Sequence, residues 1–270
     1  MAQKMSMVGN VFLVHDLQNP VVRGRVTIIT AVFNAEHTLS RCIESVLSQD
    51  YRDVEYILMD GGSTDTSLEI ISQYDGRITW RSEPDTGIYD AWNKSLALAT
   101  GEWIAFLGAD DFYFPGAITA YMDVAAKGEF DYISSRVRWV QATGSSRTIG
   151  TAWLWPHFQS LMTTAHVGSM HRYTLFERYG TYDLSYRIVG DYEMLLRPRN
   201  RLRAAFMPLL TVEMQAGGAS DSYAALAEAK RAKTSTGGRP QLIAIFEWWI
   251  ARVKLFVRHT LQKRRLGLNT

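Results

Sequence analysis

The stretch from residue 26 to residue 107 alternates between short β-branched runs and segments with helical periodicity. The predicted strands are 26–32, 54–59, 78–82 and 103–107, and the predicted helices cover 39–47, a segment opening at Thr66, and 88–99. Strands that alternate with helices in this way pair in parallel. The chain is therefore expected to fold as an α/β domain with a Rossmann-like, mostly parallel sheet flanked by helices.

Composition narrows the classes of function. The 270 residues are 47% hydrophobic, which is enough for a substantial core, and 29 basic against 27 acidic residues give a net charge of only +2. This balance provides no general attraction for nucleic acid. The lone Cys42 cannot form an intramolecular disulfide, and there is no Cys/His cluster for zinc. With no apolar run of about 18 to 20 residues and no signal-peptide pattern, we expect a cytoplasmic protein.

Acidic residues follow two of the predicted strands. Asp60 ends the second strand, and Asp110 and Asp111 come just after the fourth. Ligands of open parallel sheets bind beyond the carboxyl ends of the strands, so these side chains are expected to face one crevice. Adjacent carboxylates repel each other unless a cation compensates, and oxygen ligands suit Mg²⁺ or Mn²⁺. The alternative is that the pair caps the turn before residues 112–115.

Several motifs, taken in order, resemble the nucleotide-binding half of a family 2 glycosyltransferase with the GT-A fold. They are FN at 33–34, SVLSQ at 45–49, DGGSTD at 60–65, SEPDTGIYDAWNK at 82–94, GE at 101–102 and DD at 110–111. The block at 82–94 is similar to a bacterial subgroup that assembles colanic acid and other exopolysaccharides. The resemblance covers roughly residues 25 to 215.

The resemblance implies a role for each matching acidic residue. Asp60 would contact the nucleoside base or ribose, and Gly61 stands where many members carry a second acidic residue, so a base contact is lost. Asp111 would be the direct ligand of Mn²⁺ or Mg²⁺, with Asp110 as the ribose or second metal contact. Asp85 matches a position that lines the donor site, although it could instead be a turn residue after Pro84.

Asn93 matches a second position of the donor site in the same family. His166, in the segment between 166 and 171, matches a position where the family often lines the donor or acceptor pocket. A structural, hydrogen-bonded histidine is the alternative for His166 and for His171.

A second acidic constellation follows at residues 190–197 (GDYEMLLR). Asp191 precedes an apolar run and could cap a short helix. The resemblance implies instead that Asp191 is the general base of an inverting transfer. Glu193 lies about 200° around the helix from Asp191 and is not expected to share that role.

The chain divides into three predicted parts: an N-terminal extension at 1–24, a catalytic domain at 25–215 and a C-terminal helical segment at 216–270. Residues 215–220 (QAGGAS) resemble a loop whose backbone could approach a phosphate, or they are a linker. A basic amphipathic helix follows, with Trp249 at its apolar boundary. It could bind an anionic membrane surface, which fits a lipid-linked acceptor such as an undecaprenyl-linked saccharide, or it could pack on the protein or on a partner in a homo-oligomer.

Two other classes of function compete with a transferase that takes a nucleotide-diphosphate sugar. A nucleotide-dependent oxidoreductase is disfavoured because residues 33–36 replace the Gly-x-Gly-x-x-Gly turn after the first strand. A non-catalytic module that binds sugar nucleotides or proteins remains the alternative, and retention of Asp110, Asp111 and Asp191 argues against it.

Overall fold

The computed structural model of the protein describes residue 17 and residues 19–141, 143–218 and 222–265. Most of the predicted N-terminal extension, including its apolar patch at 11–14, lies outside the described residues, as does the end of the predicted phosphate loop at 219–220. Within the described residues, one sheet runs in the order β3-β2-β1-β4-β8-β6-β9-β5, with β7 paired to β6.

The bounds of the strands follow from the backbone pairing. They are β1 Val22–Val32, β2 Val54–Asp60, β3 Thr79–Ser82, β4 Gly101–Phe106, β5 Phe112–Tyr113, β6 Tyr132–Val140, β7 Ser146–Ile149, β8 Ser169–Arg172 and β9 Ala204–Gln215. The half formed by β3, β2, β1 and β4 is parallel, as predicted. The other half adds antiparallel pairs between β4 and β8, β8 and β6, and β9 and β5.

Helices cover both faces of this sheet. They are α1 Leu39–Leu47, α2 Ser67–Ser72, α3 Ile88–Leu96, α4 Ala117–Ala125, α5 Trp155–Phe158, α6 Tyr173–Tyr179, α7 Gly190–Leu196, α8 Tyr223–Ser235 and α9 Gln241–Arg265. No helix in the described part of the chain combines the length and apolarity needed to cross a bilayer.

Neighbouring residues of β1 pack in two separate hydrophobic cores, one on each face of the sheet, because side chains alternate across a strand. Ile28 packs in a core with Cys42 of α1, and Ile29 packs in a second core with Trp92 of α3. The thiol of Cys42 is buried, and its pKa is raised to about 12 by removal from solvent, so it is a small core residue. Burial on both faces explains why β1 reads as a nearly continuous apolar run.

Two expectations about element bounds were wrong. The strand β1 begins at Val22 rather than at residue 26, and the helix α3 ends at Leu96 rather than at residue 99. The helix α2 opens at Thr66 as predicted, and the hydroxyl group of Thr66 donates to Glu36 Oε2 at 2.8 Å.

The C-terminal segment is integrated with the sheet domain. Ala232 of α8 is fully buried in the core that contains Leu195 and Leu196 of α7. The start of α8 is capped by Ser222, whose side-chain oxygen accepts from the N–H of Ala225.

Candidate active site

The acidic residues lie at the carboxyl edge of the parallel strands. Asp60 is the last residue of β2 and pairs with Val32 at the end of β1. On the other side of β1, Phe106 ends β4 opposite Ile29. Asp60 and the Asp110–Asp111 pair therefore lie at the same edge of the sheet, and only β1 separates β2 from β4.

The carboxylates of Asp110 and Asp111 converge above Gly108. A Cβ atom at Gly108 would lie 2.6 Å from Asp111 Oδ2 and 2.9 Å from Asp110 Oδ1. Asp111 is buried and its Oδ1 accepts from the N–H of Gln215 at 2.9 Å, whereas Asp110 is exposed. Burial, reinforced by the charge of Asp110, raises the pKa of Asp111 to about 7. The absence of a side chain at Gly108 keeps the space that both carboxylates face.

These two carboxylates fit a hard divalent cation because their oxygens share one small space and Asp111 has no cationic partner among the described residues. The same residues contain no group of three or more His, Cys, Asp or Glu side chains placed to hold a metal, so a bound ion would depend on oxygens of the ligand as well. Asp110 is the exposed carboxylate and Asp111 the buried one, and the roles expected for them stay predictions.

Asp60 orders a turn rather than facing the crevice. The residue is fully buried, and its Oδ2 accepts from the N–H of Gly62 at 3.0 Å and from the hydroxyl group of Ser82 at 2.7 Å. Ser63 adds bonds from its N–H and its hydroxyl group. These donors hold the Asp60 carboxylate within the turn, and its expected contact with a base or ribose stays a prediction.

Asp85 lies against Gly61, the position where the second acidic residue was missing. A Cβ atom at Gly61 would come within 2.4 Å of Asp85 Oδ2. The other oxygen, Oδ1, accepts from the N–H of Gly87 at 2.8 Å. The half-buried carboxylate of Asp85 thus occupies the space that a side chain at Gly61 would fill. The bond from Gly87 agrees with the turn role, and the donor-site role stays a prediction.

Asp191 is held at the same edge by Tyr89. The hydroxyl group of Tyr89, in the first turn of α3, donates to Asp191 Oδ1 at 3.2 Å and to the carbonyl oxygen of Ile188 at 2.8 Å. Burial raises the pKa of Asp191 to about 6, and the pKa would be higher without hydrogen bonds from the N–H of Tyr192 and from Tyr89. A carboxylate with this pKa is ionised near neutral pH yet basic enough to take a proton.

The local structure of α7 explains the placement of Asp191. The helix begins at Gly190 with Val189 before it, so Asp191 lies in the first turn and is not the capping residue. A Cβ atom at Gly190 would lie 2.9 Å from the ring of Tyr89, which requires glycine there. Glu193 points away as predicted, and its carboxylate forms a buried ion pair with Arg197 at 2.6 Å.

Glu228 of α8 fixes the chain that leads into α7, and nothing in the sequence pattern singled it out. Its carboxylate accepts from three consecutive backbone N–H groups, those of Arg187 at 3.0 Å, Ile188 at 2.9 Å and Val189 at 3.2 Å. The Arg187 guanidinium also donates to the carbonyl oxygen of Thr86, just before α3. Glu228 therefore holds residues 187–189 in place, and with them the start of α7 where Asp191 contacts Tyr89.

His166 and Asn93 lie behind this edge. His166 is buried, its ring packs against Trp92 at 4.8 Å and Phe106 at 5.1 Å, and burial lowers its pKa to about 3. Its Nδ1 has no hydrogen-bond partner among the described residues. Asn93 is also buried, and its amide group bonds in both directions with the backbone of Tyr182. These bonds fix the position of the Asn93 side chain, and its expected contact with a donor stays a prediction.

A cavity of about 940 Å³ lies next to the site without being part of it. It is lined by five arginines and by Glu193, but not by Asp191, Asp110 or Asp111. Several of these arginines serve the structure: Arg197 binds Glu193, and Arg231 packs 3.7 Å from the centroid of the Tyr186 ring. The acidic strand edge, which carries the reactive groups, is the candidate active site.

Comparison with known proteins supports a common family for the sheet domain. The profile described as glycosyl transferase family 2 matches residues 27–184. The chain is 30% identical over 184 residues to a PGL/p-HBAD biosynthesis glycosyltransferase of Mycobacterium bovis, covering 63% of this chain and 68% of the relative. It is 32% identical over 184 residues to an uncharacterized glycosyltransferase of Mycobacterium tuberculosis, covering 64% and 68%.

Solved structures share the fold at low sequence identity. S. aureus TarS 1–349 in complex with UDP-GlcNAc matches with a TM-score of 0.63 at 15% identity, over 82% of this chain and 69% of that one. The mannosyltransferase PcManGT from Pyrobaculum calidifontis, in complex with GDP-Man and Mn²⁺, matches with a TM-score of 0.59 at 15% identity, over 93% and 83%. The fold is therefore GT-A-like, as the sequence predicted.

Proposed function

The chain belongs to glycosyl transferase family 2, and from that premise we propose that it transfers a sugar from a nucleotide-diphosphate sugar to a saccharide hydroxyl group with inversion at the anomeric carbon. The observation that carries this proposal is Asp191, an acidic residue with a pKa of about 6 that Tyr89 holds beside the carboxyl ends of the parallel strands. Asp191 is suited to act on the acceptor hydroxyl group, and the Asp110–Asp111 pair that follows β4 is suited to the leaving diphosphate of an in-line displacement.

Asp191 is the proposed general base. Its carboxylate takes the proton of the acceptor hydroxyl group as the hydroxyl oxygen forms a bond with the anomeric carbon. The bond between that carbon and the diphosphate oxygen breaks, and the electron pair leaves with the nucleoside diphosphate. Attack on the face opposite the leaving group gives a single displacement and inverts the configuration.

Asp110 and Asp111 are the residues that would hold Mn²⁺ or Mg²⁺. When bound, such an ion supplies positive charge that offsets the negative charge developing on the leaving diphosphate. We assign the ion to the space above Gly108 that oxygens of both residues face, with Asp111 as the buried ligand and Asp110 as the exposed one. A divalent ion is supported by the Mn²⁺ complex of the mannosyltransferase PcManGT.

The proposed donor is a nucleotide-diphosphate sugar, since solved structures with this fold bind UDP-GlcNAc and GDP-Man. Asp85 is the proposed base or ribose contact, because its Oδ2 faces the open space beside Gly61. His166 is proposed to border the donor or acceptor pocket as a buried, neutral group, with an Nδ1 that has no partner among the described residues.

The proposed acceptor is a lipid-linked saccharide, such as an undecaprenyl-linked one, in cell-surface polysaccharide assembly. The exopolysaccharide subgroup resembled by residues 82–94 supports this assignment. We place the enzyme in the cytoplasm, peripheral on the inner face of the cytoplasmic membrane.

Thermal stabilisation by a panel of UDP- and GDP-sugars, with Mn²⁺, with Mg²⁺ and with neither, tests the donor class. One donor class with a divalent ion is expected to raise the melting temperature, and Asp110→Asn is expected to abolish the increase that depends on the ion. Binding without turnover of any donor would favour a non-catalytic module. No stabilisation by any sugar nucleotide would contradict the proposal.

A further inference from the structure

The outer face of α9 carries an uncovered apolar stripe. Eight of the seventeen large hydrophobic side chains that are exposed in the described residues belong to this one helix. Leu242, Phe246, Trp249, Val253 and Phe256 recur at spacings of three and four residues, and between 56% and 83% of each is exposed. Together with three neighbours they span an arc of about 140° on a helix with 3.6 residues per turn. Contiguous exposed apolar surface of this extent marks an interaction site.

The opposite face of α9 is anchored to the protein, so the stripe is turned outward. Ala244 and Leu255 are buried. Glu247 binds Lys233 of α8 at 3.2 Å and Arg239 at 2.5 Å. These contacts fix the rotation of the helix about its axis and leave the apolar arc without cover from the described part of the chain.

The exposed charges of α9 in the described residues are positive. Residues 241–265 contain six Lys or Arg and one acidic residue, Glu247, which is neutralised by Lys233 and Arg239. Lys254 is exposed at one edge of the stripe and Arg258 further round the helix on the same side. Arg252 lies at the other edge, 4.7 Å from the centroid of the Trp248 ring. Cations that flank an apolar arc can reach phosphate groups while the arc enters the acyl region.

We propose that α9 lies in the plane of an anionic bilayer with this stripe inserted between the headgroups. A helix of 25 residues is about 37 Å long, which suits a surface contact. A second copy of the chain fits less well, because a two-fold contact between stripes would bring the same basic flanks together without acidic partners. An anionic bilayer satisfies both the apolar arc and the cations.

The docked helix is linked to the candidate active site by hydrogen bonds. Gln159 donates to the carbonyl oxygen of Gly237, just before α9, at 2.8 Å. Tyr192, the neighbour of Asp191, donates to the carbonyl oxygen of Phe158 at 2.8 Å. Residues 158–159 therefore connect α7 to the segment before the docked helix, and the value of this connection for a lipid-linked acceptor rests on the proposed function.

Flotation of the full chain with vesicles tests the docking. We expect binding to vesicles of phosphatidylcholine with phosphatidylglycerol, little binding to phosphatidylcholine alone, and a decrease in binding as salt is added. The triple variant Phe246→Gln, Trp249→Gln, Phe256→Gln is expected to bind at least about tenfold more weakly. The matched control Leu184→Gln, Leu209→Gln replaces exposed apolar residues elsewhere and is expected to bind like the wild type.

Each measurement has an outcome that overturns the docking. Equal flotation of the triple variant and the wild type would overturn it, as would equal binding to neutral and anionic vesicles. A wild-type dimer in sedimentation that the triple variant loses would show that a second copy covers the stripe. Hydrolysis of the donor in solution is measured in parallel and is expected to be unchanged in the triple variant. A wild-type chain that hydrolyses the donor but does not float with vesicles refutes only the docking. A wild-type chain that floats but does not hydrolyse the donor refutes only the transferase.

Discussion

The hydroxyl group of Tyr89 donates to Asp191 Oδ1 at 3.2 Å, across 102 positions of sequence. This bond favours the ionised carboxylate and so works against the effect of burial, which leaves the pKa of Asp191 at about 6. The pair joins α3, which follows the parallel strand β3, to α7, which carries the proposed base. Burial has the largest effect on the pKa of Asp191, and a residue from the parallel half of the sheet domain moderates it.

Activity at saturating Mn²⁺, which would keep Asp111 ionised, is expected to depend on pH through Asp191. The base must be unprotonated, so kcat/KM should be constant well above pH 6 and fall with the unprotonated fraction as the pH drops through about 6. In Tyr89→Phe the stabilising hydrogen bond is lost, the pKa of Asp191 rises, and the acidic limb should move upward by as much as about one pH unit.

The control for this shift is Tyr192→Phe. Its hydroxyl group donates to the carbonyl oxygen of Phe158 and does not contact Asp191. The acidic limb of this variant is expected to match that of the wild type. If kcat/KM of Tyr89→Phe fell at the same pH as in the wild type, Tyr89 would have no effect on the pKa of Asp191.

Glu228 is expected to act as a positioning residue. In Glu228→Ala, the N–H groups of Arg187, Ile188 and Val189 lose their common acceptor, and Asp191 shifts from its attack geometry. We expect kcat to fall about tenfold with little change in the KM for the donor. Glu228→Gln keeps one acceptor oxygen and should recover part of kcat.

The matched control for Glu228 is Glu177→Ala, which removes an exposed carboxylate from α6. It should leave kcat unchanged. A Glu228→Ala variant with wild-type kcat would exclude the positioning role, and a drop in melting temperature with proportionate losses in both constants would indicate a structural role alone.

Gly108→Ala is expected to abolish the metal contribution to donor binding. The new methyl group would lie within 3 Å of oxygens of both Asp110 and Asp111 and would push the carboxylates apart. Calorimetry should show donor affinity reduced at least about tenfold with Mn²⁺ and unchanged without it. In Gly128→Ala the methyl group meets only the ring of Phe130, so this control should behave like the wild type. Full Mn²⁺-dependent affinity in Gly108→Ala would remove Asp110 and Asp111 as the cation site.

Gly61 and Asp85 are expected to form one unit in nucleotide binding. Asp85→Ala removes the carboxylate, and Gly61→Ala displaces it, because the added Cβ would lie 2.4 Å from Asp85 Oδ2. Each variant should weaken the binding of the nucleoside diphosphate about tenfold. The double variant should be no weaker than either single one, since both act on the same side chain. Additive losses in this cycle would contradict the account.

The parallel half of the sheet could be predicted because its signals are local. The bounds of α1 and the start of β2 follow from apolar periodicity, and the arrival of Asp60 and Asp110 at one edge follows from the parallel pairing. The pairing of β6 with β8 and β9 is not encoded in any short segment. It depends on contacts between distant strands, so no local pattern predicts it.

Roles within the site were harder to predict than its location. Adjacent Asp110 and Asp111 look alike in the sequence, yet the backbone of Gln215 selects Asp111 as the buried one. Asp60 was expected to touch a ligand, but donors that include Ser82, which is 22 residues away, enclose its carboxylate. Glu228 carries no motif, and its function depends on where α8 packs.

Asp191→Asn tests the central claim most directly. The substitution keeps the shape of the side chain and removes its capacity to accept a proton, so binding and catalysis should separate. Calorimetry with the donor and Mn²⁺ is expected to give an affinity within about twofold of the wild type, while turnover falls at least about a hundredfold. Turnover at the wild-type rate would contradict the assignment of Asp191 as the base.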